Sequence, residues 1–192
     1  MTTVSAWSDI KNIKENLLRG IYAIGFEDPS PIQKEAIMPF LTKNDIIGQA
    51  QSGTGKTGCF SISSLQLIDE TKQETQTLVL LPTRELAKQV NDVFLKMATF
   101  MKIDIKLLIG GTSLREDLDY LTNRQPHIII GCPGRILDLM NKNYINHKTI
   151  NLLIIDEADE MFSYGFKDQI YKLMSILSNE IQLALFSATI PD

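Results

Sequence analysis

Residues 50–57 read Ala-Gln-Ser-Gly-Thr-Gly-Lys-Thr, and residues 156–159 read Asp-Glu-Ala-Asp after a largely apolar run from Ile150 to Ile155. The first string suits a loop that wraps phosphates. Gly53 and Gly55 let backbone N–H groups turn inward around phosphate oxygens, with Ala50, Gln51, Ser52 and Thr54 completing the loop. Lys56 brings a point charge to the β/γ-phosphates, and the Thr57 hydroxyl can face a magnesium ion. A helix starting here adds the positive end of its dipole. The strict pattern has Gly at position 50, where this chain has Ala50. A merely flexible Gly/Ser loop would predict neither the Lys-Thr pair nor a strand before it and a helix after it.

The second string puts carboxylates at a strand end. Asp156 is placed to hold magnesium, through water, and Glu157 to orient or deprotonate an attacking water. Asp159 falls on the first turn of the helix that follows and can fix neighbouring side chains. Acidic residues also cap helix N-termini, which accounts for one or two carboxylates but not for a pair facing a phosphate loop. The two strings lie about a hundred residues apart. Together they point to binding and hydrolysis of a nucleoside triphosphate, ATP with Mg2+.

The elements that must carry these strings follow from hydrophobic spacing. Ile10, Ile13, Leu17, Leu18, Ile21 and Tyr22 predict a helix over 8–24, stopped by Gly25. Pro31 opens a second helix reaching Leu41. Asp45 to Gly48 is a short strand before the phosphate loop, and Lys56 to Asp69 a helix. Strands are predicted at 77–81, 103–109, 127–130, 151–155 and 182–186. Helices are predicted between them at 84–101, 113–121 and 134–140, and at 166–177. Leu78 to Leu81 and Ile128 to Ile130 are apolar on both faces, as in a parallel sheet covered on both sides. The expected fold is a three-layer α/β/α sandwich on a mostly parallel sheet, with ligands at the carboxyl ends of its strands.

The 192 residues suit one domain, with no repeat or linker. The net charge of −4 excludes a polycation, so any nucleic-acid contact must come from a local patch. Arginines number five against fourteen lysines, which draws attention to where they fall. Cys59 and Cys132 have no metal-ligand spacing and read as reduced thiols of an intracellular protein. His127 and His147 lack nearby ligand partners and read as structural; Lys142 to Lys148 reads as a solvated connection. No signal-peptide pattern and no membrane-length apolar stretch is seen.

With these strings in place the chain resembles the N-terminal RecA-like domain of a DEAD-box RNA helicase, from about residue 7 to 192. Leu17-Leu18-Arg19-Gly20-Ile21-Tyr22-Ala23 and Gly165-Phe166-Lys167-Asp168-Gln169-Ile170 bring it nearest the translation initiation factor 4A group. The resemblance implies an adenine-reading motif in Gly25-Phe26-Glu27-Asp28-Pro29-Ser30-Pro31-Ile32-Gln33. There Phe26 stacks on the base, Gln33 bonds its edge and Ser30 belongs to the nucleotide site; an amide with donor and acceptor can separate adenine from guanine. Trp7 is the candidate for an upstream aromatic of the same motif. It further implies that Pro82, Thr83 and Arg84, Gly110 and Gly111, and Pro133, Gly134 and Arg135 grip single-stranded RNA by its backbone. Arg84 and Arg135 would supply phosphate forks. Cys132 stands where the family has Thr, removing a hydroxyl donor. Ser187 and Thr189, in Ser187-Ala188-Thr189, would link the Asp-Glu-Ala-Asp segment to RNA.

The resemblance also implies a second RecA-like domain, beyond residue 192, that completes both sites. The expectation is a monomeric helicase half acting without RNA sequence preference, near-inactive alone, in the cytoplasm or the nucleus, with activating scaffold proteins among its partners. An ATP-gated RNA clamp with slow turnover is the alternative. A DNA-directed relative fits the Asp-Glu-Ala-Asp string and adenine motif less well.

Overall fold

The computed structural model describes residues 4–163 and 165–189. After a 3-10 turn at Trp7–Asp9 come α1 (Glu15–Ala23), α2 (Pro31–Leu41), β1 (Ile46–Gln49) and α3 (Lys56–Leu67). Next are β2 (Thr77–Leu80), α4 (Arg84–Met97), β3 (Ile105–Leu108), α5 (Leu114–Asn123), β4 (Ile128–Gly131) and α6 (Pro133–Asn141). A second 3-10 turn, His147–Thr149, precedes β5 (Leu152–Ile155), α7 (Ala158–Ser163), α8 (Lys167–Ile176) and β6 (Gln182–Ser187).

The six strands form one sheet in the order β1-β6-β5-β2-β4-β3, and every pairing is parallel. Alternation along the strands explains the two cores. Val79, Ile128, Ile130, Ile154 and Phe186 face one side, where they pack with Leu17, Ile37, Phe60 and Phe94 of α1 to α4. Leu78, Leu80, Ile129, Leu153 and Ile155 face the other, against Ile136, Met161 and Ile170 of α6, α7 and α8. Strands buried on both faces need helices on both faces, and the predicted α/β/α layering is what forms.

The predicted helix over 8–24 does not form as one piece. The Asp9 carboxylate accepts from the Ser5 and Ala6 N–H groups at 2.8 Å each, drawing the start into a tight turn. Asn12 then takes a left-handed φ of 58°, which no continuous helix passes. Lys14 supplies the reason for the break. Its N–H donates to Gln66 Oε1 at 2.9 Å and its ammonium donates to the carbonyls of Leu65 and Ile68. The segment therefore caps the C-terminal end of α3, where a cation meets the negative end of the helix dipole. The apolar residues of the failed helix still reach the core, as Trp7 and Ile10 are buried.

β3 is shorter than the predicted strand, and α7 is a separate helix before Gly165, whose φ is 84°. His127 is buried, its Nδ1 accepting from the Asp104 N–H at 2.9 Å. Burial holds its pKa below the usual imidazole range, as a structural histidine requires. Burial likewise pushes the Cys59 thiol up to about 12, far from the reactive range.

Candidate active site and nucleic-acid edge

The phosphate loop leaves β1 and enters α3 along the path its glycines permit. Ala50 N–H donates to the Ser187 carbonyl at 3.1 Å, which ties the loop's base to β6. Gly55 is the N-cap of α3 at φ 104°, and a Cβ there would fall on the Ser30 hydroxyl and the Gln33 amide. No L side chain fits that backbone or that space. Lys56, the first helical residue, is nearly buried, with its ammonium 3.5 Å from Glu157 Oε1. Between these groups lies a cavity of about 380 Å³, lined by Phe26, Gly53, Lys56, Thr57, Asp156 and Glu157 among others.

The carboxylates divide by environment. Asp156 ends β5 and is buried. Burial first, and the adjacent Glu157 charge second, raise its pKa to about 6, against the opposing pull of the Glu157 N–H and of Lys56. Glu157 follows in a left-handed conformation, φ 49°. A non-glycine residue there stores of order 1 kcal/mol or more of backbone strain, a cost that clusters at functional turns. Asp159 faces away from the cavity. Its Oδ2 accepts from the Thr189 hydroxyl at 2.6 Å, and its N–H donates to Ser187 Oγ at 3.4 Å. The Thr189 hydroxyl bond holds the Asp159 carboxyl below its ordinary pKa. Asp159, Ser187 and Thr189 thus form a latch between β6 and α7, one step removed from the phosphates.

The segment around α2 is built onto the phosphate loop. Ser30 occupies the N-cap position of the helix and Pro31 opens it, and Gln33 Oε1 accepts from the Ser30 N–H at 2.8 Å. Gln33 Nε2 donates to the Gly55 carbonyl at 3.1 Å. The amide read from sequence as a base contact is therefore also a strut for the loop. The Ser30 hydroxyl is buried without a partner among the described residues. Phe26 lies over Gly58, where an added Cβ would meet its ring at 2.7 Å. The Trp7 indole N–H donates to the Phe26 carbonyl at 2.9 Å, so the upstream aromatic fixes the backbone of the stacking residue. Sequence reasoning missed Gly58, and also Gln89 and Val93 of α4, which line the same cavity as Phe26. The amphipathic spacing of α4 placed its inward face but did not say that a cavity lay beside it.

A second set of residues gathers beyond β5, where β2, β4 and β3 end at three helix N-termini. The helices after β2 and β3 are capped by hydroxyls: Thr83 accepts from the Leu86 N–H at 3.2 Å and Ser113 from the Glu116 N–H at 3.3 Å. Arg84 lays its guanidinium against Gly110 and Gly111, the latter at φ 85°. Pro133 opens α6 and Gly134 packs beside Gln169. Arg135 departs from the expected free fork. Its Nη1 lies 2.6 Å from Asp117 Oδ2 and its Nη2 donates to the Thr112 carbonyl at 3.3 Å. The side chain is 12% exposed, engaged within the domain by a carboxylate the sequence reading passed over.

The third helix start has no hydroxyl. Cys132 is the N-cap of α6 and makes no side-chain cap. Cys132→Thr is expected to add the missing acceptor and raise stability by about 1 kcal/mol. Denaturant unfolding of the two forms measures this; an unchanged midpoint would show that the cap position is already satisfied.

The fold and the paired strings define a phosphate-loop nucleotide-binding domain. Residues 30–192 match the model of the DEAD/DEAH box helicase family. The chain belongs to that family. Among solved structures it is similar to a Dbp5 variant of S. cerevisiae bound to a Gle1 variant and IP6. That likeness has 34% identity and a TM-score of 0.91, over 100% of this chain and 49% of that one. It is similar to a DEAD box protein of the hyperthermophile Methanococcus jannaschii at 34% identity and TM-score 0.91, over 98% of this chain and 51% of that one. S. cerevisiae Dbp5 bound to RNA and ADP BeF3 matches at 35% identity and TM-score 0.87, over 98% of this chain and 48% of that one. The chain thus spans about half the length of the structures it matches.

Proposed function

We propose that this chain is the ATP- and RNA-binding N-terminal half of an ATP-dependent RNA helicase. The observation that carries the reading is the division of one sheet edge. The phosphate loop, Lys56, Asp156 and Glu157 sit on β1 and β5. Arg84, the Gly110–Gly111 loop and three helix N-termini sit on β2, β3 and β4 beside them. Phe26 and Gln33 would receive the adenine, the loop of residues 50–55 the phosphates, and Lys56 the β/γ charge. Thr83, Arg84, Gly110, Gly111 and, behind Pro133, the N–H groups of Gly134 and Arg135 would meet RNA phosphates without reading bases.

The residues present suit a magnesium ion. A buried carboxyl held near pKa 6 beside a second carboxylate is a place that gains from a cation. Asp156 and the Thr57 hydroxyl would hold it, and it would offset phosphate charge. One carboxylate and one hydroxyl are a partial shell, fitting an ion that arrives with phosphate oxygens and water. Glu157, aimed across the cavity, would orient the attacking water. The nearness to initiation factor 4A, and with it translation initiation in the cytoplasm, rests on the strings at 17–23 and 165–170. The likeness to Dbp5 bound to Gle1 supports activating scaffold proteins as partners.

Half of the machinery lies outside the chain on this reading, and an arginine finger of a second domain is worth roughly 10³–10⁵ in rate. The full-length protein is expected to hydrolyse ATP in preference to GTP, stimulated by RNA. Residues 1–192 alone are expected to bind nucleotide weakly and to hydrolyse near background. Steady-state hydrolysis by both forms, with and without unrelated RNA oligomers, decides it. Rapid RNA-stimulated turnover by residues 1–192, or none by the full-length protein, would sink the proposal.

A further inference from the structure

Among the described residues two acidic side chains are buried, Asp156 and Asp117. Asp156 belongs to the nucleotide cavity. Asp117 has no part in that chemistry, yet it holds two cations: Lys106 Nζ at 3.0 Å from Oδ1 and Arg135 Nη1 at 2.6 Å from Oδ2. It stands on α5, while Lys106 is on β3 and Arg135 on α6. α5 buries little else, Leu121 being its other buried residue. A buried ion pair is a poor source of net stability, because desolvation offsets most of the attraction. Its stronger use is to fix an orientation.

The orientation fixed here is that of the loop between β3 and α5. Arg135 Nη2 donates to the Thr112 carbonyl at 3.3 Å. On the loop's other flank the Arg84 guanidinium lies against Gly110 and Gly111. The loop is thus held at two points, by Arg84 at the glycine pair and by Arg135 at Thr112, and Arg135 is itself held by Asp117. We propose that Asp117 is a positioning residue for RNA: its carboxylate locks Arg135 onto the Thr112 carbonyl and so aims the Gly110–Gly111 backbone at a phosphate. Arg135 then acts as a latch inside the domain, and Arg84 is the arginine of this edge that meets the nucleic acid. The inference rests on the RNA-binding reading above.

The test uses the full-length protein, a short fluorescein-labelled oligouridylate and a non-hydrolysable ATP analogue, titrated at several salt concentrations. Asp117→Asn and Arg135→Gln are each expected to weaken RNA binding about tenfold, the size of one charge-assisted hydrogen bond. Neither should change the slope of log affinity against log salt, since neither side chain meets a phosphate. The double variant should be no weaker than either single one, as the two act through one contact. ADP affinity measured without RNA should stay at the wild-type value. A slope lowered by about one unit in Arg135→Gln would make Arg135 a direct phosphate contact and overturn the inference. So would tighter RNA binding by Asp117→Asn, unchanged RNA binding in both variants, or a parallel loss of ADP affinity. If Asp117→Asn does not fold, the double variant, which leaves no arginine charge stranded, carries the same expectation. A wild-type protein that binds no RNA would overturn the reading of the whole edge; wild-type binding with unaffected variants overturns this inference alone.

Discussion

Replacing Glu157 by Gln in the full-length protein is expected to lower ATP turnover by about 10²–10⁴, the usual contribution of a positioned general base. Nucleotide affinity should stay within a few-fold of the wild type. Gln keeps the length of the side chain and can hold the same left-handed backbone, so the turn after β5 is preserved. What is lost is the negative charge 3.5 Å from the Lys56 ammonium. Lys56 is then freer for phosphate, which is why binding survives. Lys56→Ala is the contrasting case, since a phosphate would lose its charged partner in a nearly buried setting. Steady-state hydrolysis at saturating RNA, with a fluorescent-ADP titration beside it, measures both quantities. Wild-type turnover by Glu157→Gln would remove Glu157 from the chemistry. A collapse of affinity together with turnover would recast it as a structural residue.

The second large effect concerns stability. In the folded protein the Asp156 carboxyl keeps its proton up to about pH 6, whereas in the unfolded chain it ionises near pH 4. Between those values the folded state binds more protons, so stability falls as pH rises through that window. Above pH 6 both states are ionised and the full penalty persists, about 2–3 kcal/mol. Asp156→Asn removes the penalty while its amide oxygen can still accept from the Glu157 N–H. The variant, without nucleotide or magnesium, is expected to be more stable than wild type at pH 7.5 by about that amount, and its stability to be flatter between pH 4 and 6. It should also lose turnover, a trade of stability against function familiar at active sites. Urea unfolding across pH checks this; a variant no more stable at pH 7.5 would mean that Lys56 already compensates the buried charge.

What could be read from sequence was what repeats or what carries fixed chemistry. Doubly apolar strands such as Leu78 to Leu81 announce a covered parallel sheet. The glycines before Lys56 and the carboxylates after Ile155 announce their loops by residue type alone. Ser30 and Arg84 also fall at helix starts, as the predicted starts at Pro31 and Arg84 require. The parts that stayed hidden depend on partners distant in sequence. The break at Asn12 follows from Lys14 finding carbonyls more than fifty positions away. The engagement of Arg135 follows from Asp117, an ordinary acidic residue in an amphipathic helix until the fold buries it. The strut that Gln33 makes for the phosphate loop needs the Gly55 carbonyl in view. Periodicity reports which face is inside and is silent about which polar groups meet there.

The place of β1 in the sheet sets a clock on the site. β1 lies at the edge of the sheet and pairs with β6, the last strand of the chain. The Leu183 N–H that meets the Asp45 carboxylate beside this pairing comes from 138 positions further along the chain. Closing so long a segment costs entropy before any contact repays it, and such non-local pairings slow folding. A ribosome adding 5–20 residues per second needs roughly 7–28 seconds to cover that interval. Throughout it the phosphate loop has been made but β1, which it leaves, has no partner strand. β2, β4 and β5 can therefore pair during synthesis while β1 still waits for β6, and a ligand of the phosphate loop would favour only the stage at which β1 joins the sheet.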